Sequence, residues 1–428
     1  MSNDFPNLLI ISNNALSFTR NNGKTLNSLI KDIPEENISQ LYLSKEVPQS
    51  DNCNNFFRIT DEEMFQSFFL KRNDVGKIVG KIESEKREEK TDSNNLKNLI
   101  KTKESFRLLR ESFWLKNKWN SKRLNDWLEE VSPEVILFCA GDSSFAYDIT
   151  NFVRNKFNAK LITYVTDDYI LPRTNSSWLE NIRRKKIRKQ LNEVIYSSDK
   201  FITISEKMRY KYHEIFDKDS VVFMNSTTSF KKANYNQKDK SEMSLVYAGG
   251  LQHNRHKSLI EIAKAIELIN KRLNKPVKLY IYSNNEPNKK ILSKLNREDS
   301  SEFCGSLNRD ELTKVLNNSD ILVHVESFEV KDIEDTRLSM STKIPEYLSF
   351  EKPILAVGPN DIASVEYLKD VGYCITNINN IEENLRNFLN NDTLQKKLIR
   401  KSRERFLSNH NQDRISKKFL TEIQKLRQ

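Results

Sequence analysis

Two short stretches in the second half of the sequence combine residue types that bind anions. The first is Arg337-Leu338-Ser339-Met340-Ser341-Thr342-Lys343-Ile344-Pro345-Glu346-Tyr347-Leu348. Proline is tolerated only in the first turn of a helix, so a helix is predicted to begin at Ser341 or Thr342, both competent caps. The N–H groups of Thr342, Lys343 and Ile344 are then free. With two hydroxyls and a lysine they would make an anion site, most naturally for a diphosphate. Glu346 falls one turn deeper on the face of Thr342, where its carboxylate either accepts both hydroxyls of a ribose or offsets a neighbouring lysine. An ordinary capped helix has the same local pattern. The second stretch is Ala248-Gly249-Gly250-Leu251-Gln252-His253-Asn254-Arg255-His256-Lys257, read as strand, glycine turn and helix start. Its glycines let backbone approach a ligand, and Arg255 and Lys257 add positive charge. The spacing fits neither the dinucleotide fingerprint nor the P-loop. His253 and His256 have no third ligand near them in sequence, and no metal site is expected.

The elements that must position these stretches are legible from apolar runs. Residues 7–11, 38–43, 56–59, 135–139 (VILFC), 161–165 (LITYV), 201–204 and 221–224 read as strands of a first half. Phe106, Leu109, Phe113, Trp119, Leu124 and Trp127 are spaced for a helix or helix pair. In the second half, residues 244–248 (SLVYA), 277–282, 303–304, 321–325 (ILVHV) and 353–357 read as strands, with helices at 309–317, 342–350 and 361–369. Leu259, Ile262, Ala263, Ile266, Ile269 and Leu273 share one helical face. Short β-branched runs alternating with helices predict two consecutive doubly wound parallel sheets, with a ligand cleft at the carboxyl ends of the strands. The expected domains are 1–235, with an exposed charged insertion at about 77–103, then 236–405, then a C-terminal helix at 406–428 that braces the two.

Composition bounds the function. The 428 residues are 37% hydrophobic and 10% aromatic, enough for folded domains over most of the length. No apolar run approaches the roughly 18–20 residues of a membrane span, and the N-terminus does not read as a secretory leader. Four scattered cysteines, Cys53, Cys139, Cys304 and Cys374, suggest neither a disulfide framework nor a zinc knuckle, and fit a cytoplasmic location. The net charge of +11 suits nucleic acid, anionic membrane or phosphorylated ligands equally. A nucleic-acid role is not expected, because aromatic and basic residues do not interleave as in a known module. Six basic residues in the seven positions 183–189 lie within 178–191, a segment read either as a solvated helix or as a contact with anionic lipid.

Taken together, the two anion stretches resemble the GT-B glycosyltransferases that retain anomeric configuration, in particular a family 4-like bacterial subgroup that builds surface polysaccharides. The resemblance covers nearly the whole chain. It implies a GT-B fold, two Rossmann-like α/β domains facing each other across a cleft, and a UDP- or GDP-linked sugar donor with no cofactor or metal. Lys257 falls at the phosphate-binding lysine, and the family's Gly-Arg turn is Gly249-Gly250 here, which displaces the arginine to Arg255. Ser341, Thr342 and Lys343 would take the diphosphate and Glu346 the ribose. The first glutamate of the family's paired motif is Leu338, which removes one contact to the transferred sugar. Asn21-Asn22-Gly23-Lys24-Thr25 matches a first-domain loop facing the donor phosphates, and Asp142 and Asp168 occupy strand ends at the cleft wall.

Implied by the same resemblance are leaving-group stabilisation by Lys257, Lys343 and Arg255 and same-face attack by the acceptor. Asp142 and Asp168 either orient sugar or acceptor hydroxyls or act as turn aspartates. The acceptor would be a glycan or lipid-linked saccharide, and the protein peripheral at the inner membrane face. A non-catalytic GT-B accessory protein is the alternative, and a sugar-nucleotide epimerase of the same fold a weaker one.

Overall fold

The computed structural model describes residues 5–70, 74–80, 104–114, 117–228, 241–273 and 275–426. The chain divides into two compact units, one of Met1–Met224 with Asp413–Gln428 and one of Asn225–Gln412. The first division falls ahead of the expected 235, and the second falls at Gln412 rather than near 406.

In chain order the first unit contains β1 (Leu8–Ser12), α1 (Asn21–Leu29), β2 (Ile38–Tyr42), β3 (Asn55–Arg58), α2 (Asp61–Leu70), β4 (Lys77–Val79), α3 (Glu104–Trp114), α4 (Lys122–Val131) and β5 (Val135–Ala140). It continues with α5 (Ser144–Phe157), β6 (Lys160–Val165), α6 (Trp178–Ser197), β7 (Lys200–Thr203), α7 (Glu206–Phe216) and β8 (Val221–Val222). The sheet order is β4-β3-β2-β1-β5-β6-β7-β8. β1, β2 and β5 are buried at every residue; β1 and β5 accordingly read as apolar runs rather than alternating ones, whereas β2 buries the polar Ser39 and Gln40. The order reverses between β1 and β5, leaving a crevice beyond their carboxyl ends.

One strand departs from the expected parallel sheet. Residues 77–79, read from sequence as the start of a charged excursion, pair antiparallel with β3 as an edge strand. Gly76 turns the chain into it at φ +83°, a conformation that glycine adopts without steric cost. The rest of that insertion, 81–103, lies outside the described residues.

The second unit contains β9 (Met243–Ala248), α8 (Arg255–Asn270), β10 (Val277–Tyr282), α9 (Lys289–Leu295), β11 (Ser301–Gly305), α10 (Arg309–Asn318), β12 (Ile321–Val325), α11 (Val330–Thr336) and α12 (Lys343–Leu348). β13 (Ile354–Val357), α13 (Ala363–Leu368), β14 (Tyr373–Ile375), α14 (Ile381–Leu389) and α15 (Asp392–Asn409) follow. Its parallel sheet runs β11-β10-β9-β12-β13-β14 and reverses between β9 and β12. Leu259, Ile262, Ile266 and Ile269 of α8 are buried with the strands in one apolar cluster, as their spacing requires. α10 starts at a complete capping box, Asn308 with Glu311.

The tail is two helices. α15 ends near His410, and α16 (Gln412–Gln424) belongs almost wholly to the first unit, where Phe419 meets Phe223 edge-on at 5.5 Å and Glu422 pairs with Lys200. Among the described residues, no helix is long and apolar enough to cross a membrane.

Residues 225–227 and 410–412, where the chain enters and leaves the second unit, are sewn together. Thr227 N–H donates to the His410 carbonyl at 3.0 Å, and Gln412 N–H donates to the Thr227 carbonyl at 3.1 Å. The fully buried His410 ring adds Nδ1 at 2.6 Å from the Asn225 carbonyl and Nε2 at 2.8 Å from the Tyr367 hydroxyl. A carbonyl can only accept, so Nδ1 carries the proton and Nε2 accepts from Tyr367. Burial holds this imidazole down at about 4, against the pull of the Asn225 hydrogen bond and with a smaller push from Arg405.

The unfolded chain takes up the His410 proton near its ordinary value of 6.5, so the contribution of the neutral ring is complete above that pH. It declines as the pH falls through about 4, by about 3 kcal/mol in all. In chemical unfolding between pH 7 and 4, His410→Ala should be less stable than the parent by about 2 kcal/mol at pH 7, and that gap should close on acidification and reverse near pH 4.

Candidate functional site

At the reversal point of the second sheet, the strand ends Ala248-Gly249-Gly250 and Val325-Glu326 lie side by side. The glycine turn is tight. A Cβ on Gly250 would stand 1.9 Å from Gln252 Oε1, and the Gly250 carbonyl accepts from Tyr247 Oη at 2.6 Å. His253 and Asn254 then adopt left-handed φ of 53° and 50°, and α8 begins at Arg255. Asn254 gives α8 no side-chain cap; its amide donates instead to Asp332 Oδ2 of α11 at 2.8 Å.

Arg255 turns inward. Its Nε and Nη2 donate to Glu326 Oε2 at 3.1 and 2.9 Å, and His324 Nε2 stands 3.3 Å from Glu326 Oε1. Glu326 is 2% exposed. Burial alone would raise its pKa, but the Arg255 charge, with help from His324, outweighs burial and holds the carboxyl below its usual range. Burial likewise works against the Arg255 charge, and Glu326 more than compensates. Lys257 is placed differently. It pairs at 2.7 Å with Glu329 on the surface, both side chains being more than half exposed. Of the two cations proposed for this loop, the structure therefore sets Arg255 at the reversal point and leaves Lys257 outside it.

The second stretch is brought to the same strand ends by Tyr347. Its buried hydroxyl accepts from the Ala248 N–H at 3.0 Å and donates to the Ala248 carbonyl at 3.4 Å. Burial pushes the phenol well above its ordinary pKa, so it remains a donor. Pro345 lies in the first turn of α12, as the sequence requires, yet the helix is only six residues long. The row of open amides expected at its start is largely closed. Ser341 N–H donates to Ser364 Oγ at 3.0 Å, Lys343 N–H to Ser341 Oγ at 3.3 Å and Ile344 N–H to the Ser341 carbonyl at 3.2 Å. Thr342 has helical dihedrals itself, so its hydroxyl makes no cap, and its side chain is exposed. Lys343 Nζ donates to Glu346 Oε2 at 2.9 Å, so the expected diphosphate lysine and ribose carboxylate are partners of each other. Leu338 is 2% exposed, a core residue. Between β12 and this stretch lies α11, to which the sequence reading assigned no element.

The first unit has its own pocket of about 420 Å³ beyond the ends of β1 and β5, lined among others by Asn13, Asn22, Asp61, Arg110, Asp142 and Tyr169. Asp142 is held by Arg183 at 3.2 Å and Arg107 at 3.7 Å. Asp168 is 2% exposed, and its Oδ1 accepts the N–H groups of Ile170 and Leu171 at 3.0 and 2.9 Å, the turn-aspartate role. Asn21 to Thr25 form the first turn of α1 rather than a loop. Gly23 is needed there for packing, since a Cβ would stand 2.0 Å from the Ala15 carbonyl. Of that stretch, Asn22 lines the pocket. Glu326, Tyr347 and Arg183 were not read from sequence. Glu326 carried a usable signal, an acidic residue at the carboxyl end of a strand, where the cleft was predicted.

Residues 242–391, which lie in the second unit, match the model of the family described as glycosyl transferases group 1. Comparison with curated proteins gives no match. Solved structures share the fold along nearly the whole chain. HepE of Anabaena, solved with UDP-glucose, is 9% identical over 97% of this chain and 99% of its own, with a TM-score of 0.60. The UDP-forming α,α-trehalose-phosphate synthase of Burkholderia xenovorans, solved with glucose-6-phosphate, is 11% identical over 97% and 100%, also at 0.60. A glycosyltransferase of Rickettsia africae is 12% identical over 98% and 97%, at 0.59. At these identities the likeness establishes the fold: two parallel-sheet α/β units of GT-B type.

The buried pair predicts an asymmetry. Glu326→Ala leaves Arg255 partly buried without its carboxylate and should cost about 3 kcal/mol in denaturant unfolding, whereas Arg255→Met combined with Glu326→Leu should recover most of that loss.

Proposed function

We propose that the protein transfers a sugar from a nucleoside diphosphate donor to a saccharide acceptor. The observation that carries this reading is the glycosyl transferases group 1 match over residues 242–391, which contains both anion stretches at one sheet reversal. Departure of the nucleoside diphosphate develops negative charge on its terminal phosphate, and preorganised cations stabilise it. Lys343 can turn from Glu346 to that phosphate, which leaves the Glu346 carboxylate to accept ribose hydroxyls. Arg255, held in place by Glu326, presents the edge of its guanidinium at the strand ends. Ser341 and Thr342 hydroxyls add donors beside Lys343. The donor is a UDP- or GDP-linked hexose, and HepE with UDP-glucose is a precedent on the same fold. The reaction retains configuration and draws on cations of this chain rather than a metal. The hydroxyl- and amide-rich pocket of the first unit suits a saccharide acceptor, a glycan or lipid-linked chain of a bacterial surface polysaccharide.

A binding protein without turnover is the second reading, favoured by Leu338, a buried apolar residue where the resemblance calls for a carboxylate. The two separate on donor hydrolysis and transfer, which the binding protein lacks.

Thermal unfolding against UDP, GDP, ADP and CMP and their sugar conjugates should show stabilisation by one diphosphate. A ligand at 100 times its Kd contributes about 2.7 kcal/mol. Lys343→Ala should weaken that nucleotide about ten- to a hundredfold, through loss of a charge-assisted contact. Unchanged binding by Lys343→Ala would remove this lysine from the donor site.

A further inference from the structure

We infer that the outer face of α2, α3 and α6 in the first unit is a docking surface for an anionic lipid bilayer. Much of the basic run in α6 is internal: Arg183 reaches Asp142, Arg184 pairs with Glu180 at 3.2 Å, and Lys186 meets Glu111 at 3.5 Å. What remains outside is a single face. Trp178, Ile182, Lys185, Arg188 and Lys189 are all exposed and recur at three-, four- and one-residue steps, so two apolar side chains and three cations share one stripe of this 20-residue helix, with Glu193, 4.0 Å from Lys189, as the carboxylate beside it. Trp178 is 70% exposed, the other three tryptophans at most 3%.

The stripe is continued by a second apolar surface. α3 packs between α6 and α2, meeting Lys186 through Glu111 and the α2 rings through Phe113, which stands 5.3 Å from Phe65 and 6.0 Å from Phe69. Phe65, Phe69 and Leu109 nevertheless stay about half or more exposed. The acidic first turn of α2 does not offset the cations of α6, because Asp61 binds Arg110 and Glu62 binds Lys45. Exposed tryptophan, phenylalanine and aliphatic groups beside lysine and arginine are the chemistry of the lipid headgroup boundary, where rings enter the interface and cations meet phosphates. The positive stripe fixes the sign of the lipid.

This surface borders the pocket. Arg110 of α3 lines the pocket while its neighbour Leu109 faces out, and Arg183 of α6 holds Asp142 in the pocket wall while Ile182 faces out. A head group carried by a lipid would meet the pocket mouth with its tail still in the bilayer. The docking itself is independent of the transferase reading and is measured without substrate.

The test is binding of the full chain to vesicles of phosphatidylcholine with or without phosphatidylglycerol, at low and high salt. The expected result is sedimentation with phosphatidylglycerol vesicles at low salt, release at high salt, and a blue shift of tryptophan emission that Trp178→Phe abolishes. Lys185→Ala and Lys189→Ala should each lower partitioning about fivefold. Both residues are exposed, so thermal unfolding should match the parent. Equal binding to phosphatidylcholine, no binding at low salt, unchanged Trp178 emission, or partitioning indifferent to both lysine variants would each overturn the proposal. Capture of a soluble protein by this face in place of vesicles would overturn it too.

Discussion

A carboxylate almost sealed from water stays charged only beside a fixed cation, and at the second sheet's reversal that condition sets the local structure. Glu326 follows β12 directly, so Arg255 must reach it from the first turn of α8. To bring Arg255 there, the chain passes through two left-handed residues and a glycine turn in which a Cβ on Gly249 would stand 2.9 Å from Cζ of the Tyr247 ring. Ser258, one turn along α8, bonds the Glu326 carbonyl at 2.7 Å, so backbone and side chain of one residue anchor the same helix. Tyr347 then ties α12 to β9 across the sheet. The ionic requirement and the glycine turn thus belong to one arrangement, and altering either disturbs the other.

The charged groups of the candidate site differ in how readily they can change partners. Glu326, 2% exposed, lies where water cannot replace a lost partner, and it fixes the 21% exposed Arg255, so their pair behaves as scaffold. Lys343 and Glu346 sit in the intermediate layer, 31% and 24% exposed, where a phosphate competes with a carboxylate at modest cost. Asp142 is held in place by two guanidiniums, those of Arg183 and Arg107.

Much of the fold was legible because its signal is apolar and local. Runs such as VILFC and LITYV have one explanation in an α/β chain, and α8 carries its core residues at helical spacing. β4 was missed because a three-residue edge strand, Lys77 to Val79, has no apolar run to announce it. α11 was missed because its residues, VKDIEDT, are mostly polar and its place is set by tertiary contacts such as Asn254 to Asp332. In the site, residue types were legible and partners were not. Sequence marked Arg255, Lys343 and Glu346, but the inward turn of Arg255 depends on Glu326, which lies far along the chain. Gly23 is ambiguous in another way, since a glycine required for helix packing looks the same in sequence as one required for a ligand.

The order in which the chain visits its two units has a consequence for synthesis. The first unit is begun at β1 but finished by α16, whose Phe419 covers Phe223 and whose Glu422 meets Lys200. The second unit is made without interruption between Asn225 and Gln412. On the ribosome the later-encoded unit therefore completes its own set of contacts first, while the earlier one waits with the ring of Phe223 uncovered until α16 emerges. Of the described contacts of the first unit, those made by α16 are the last that synthesis can complete.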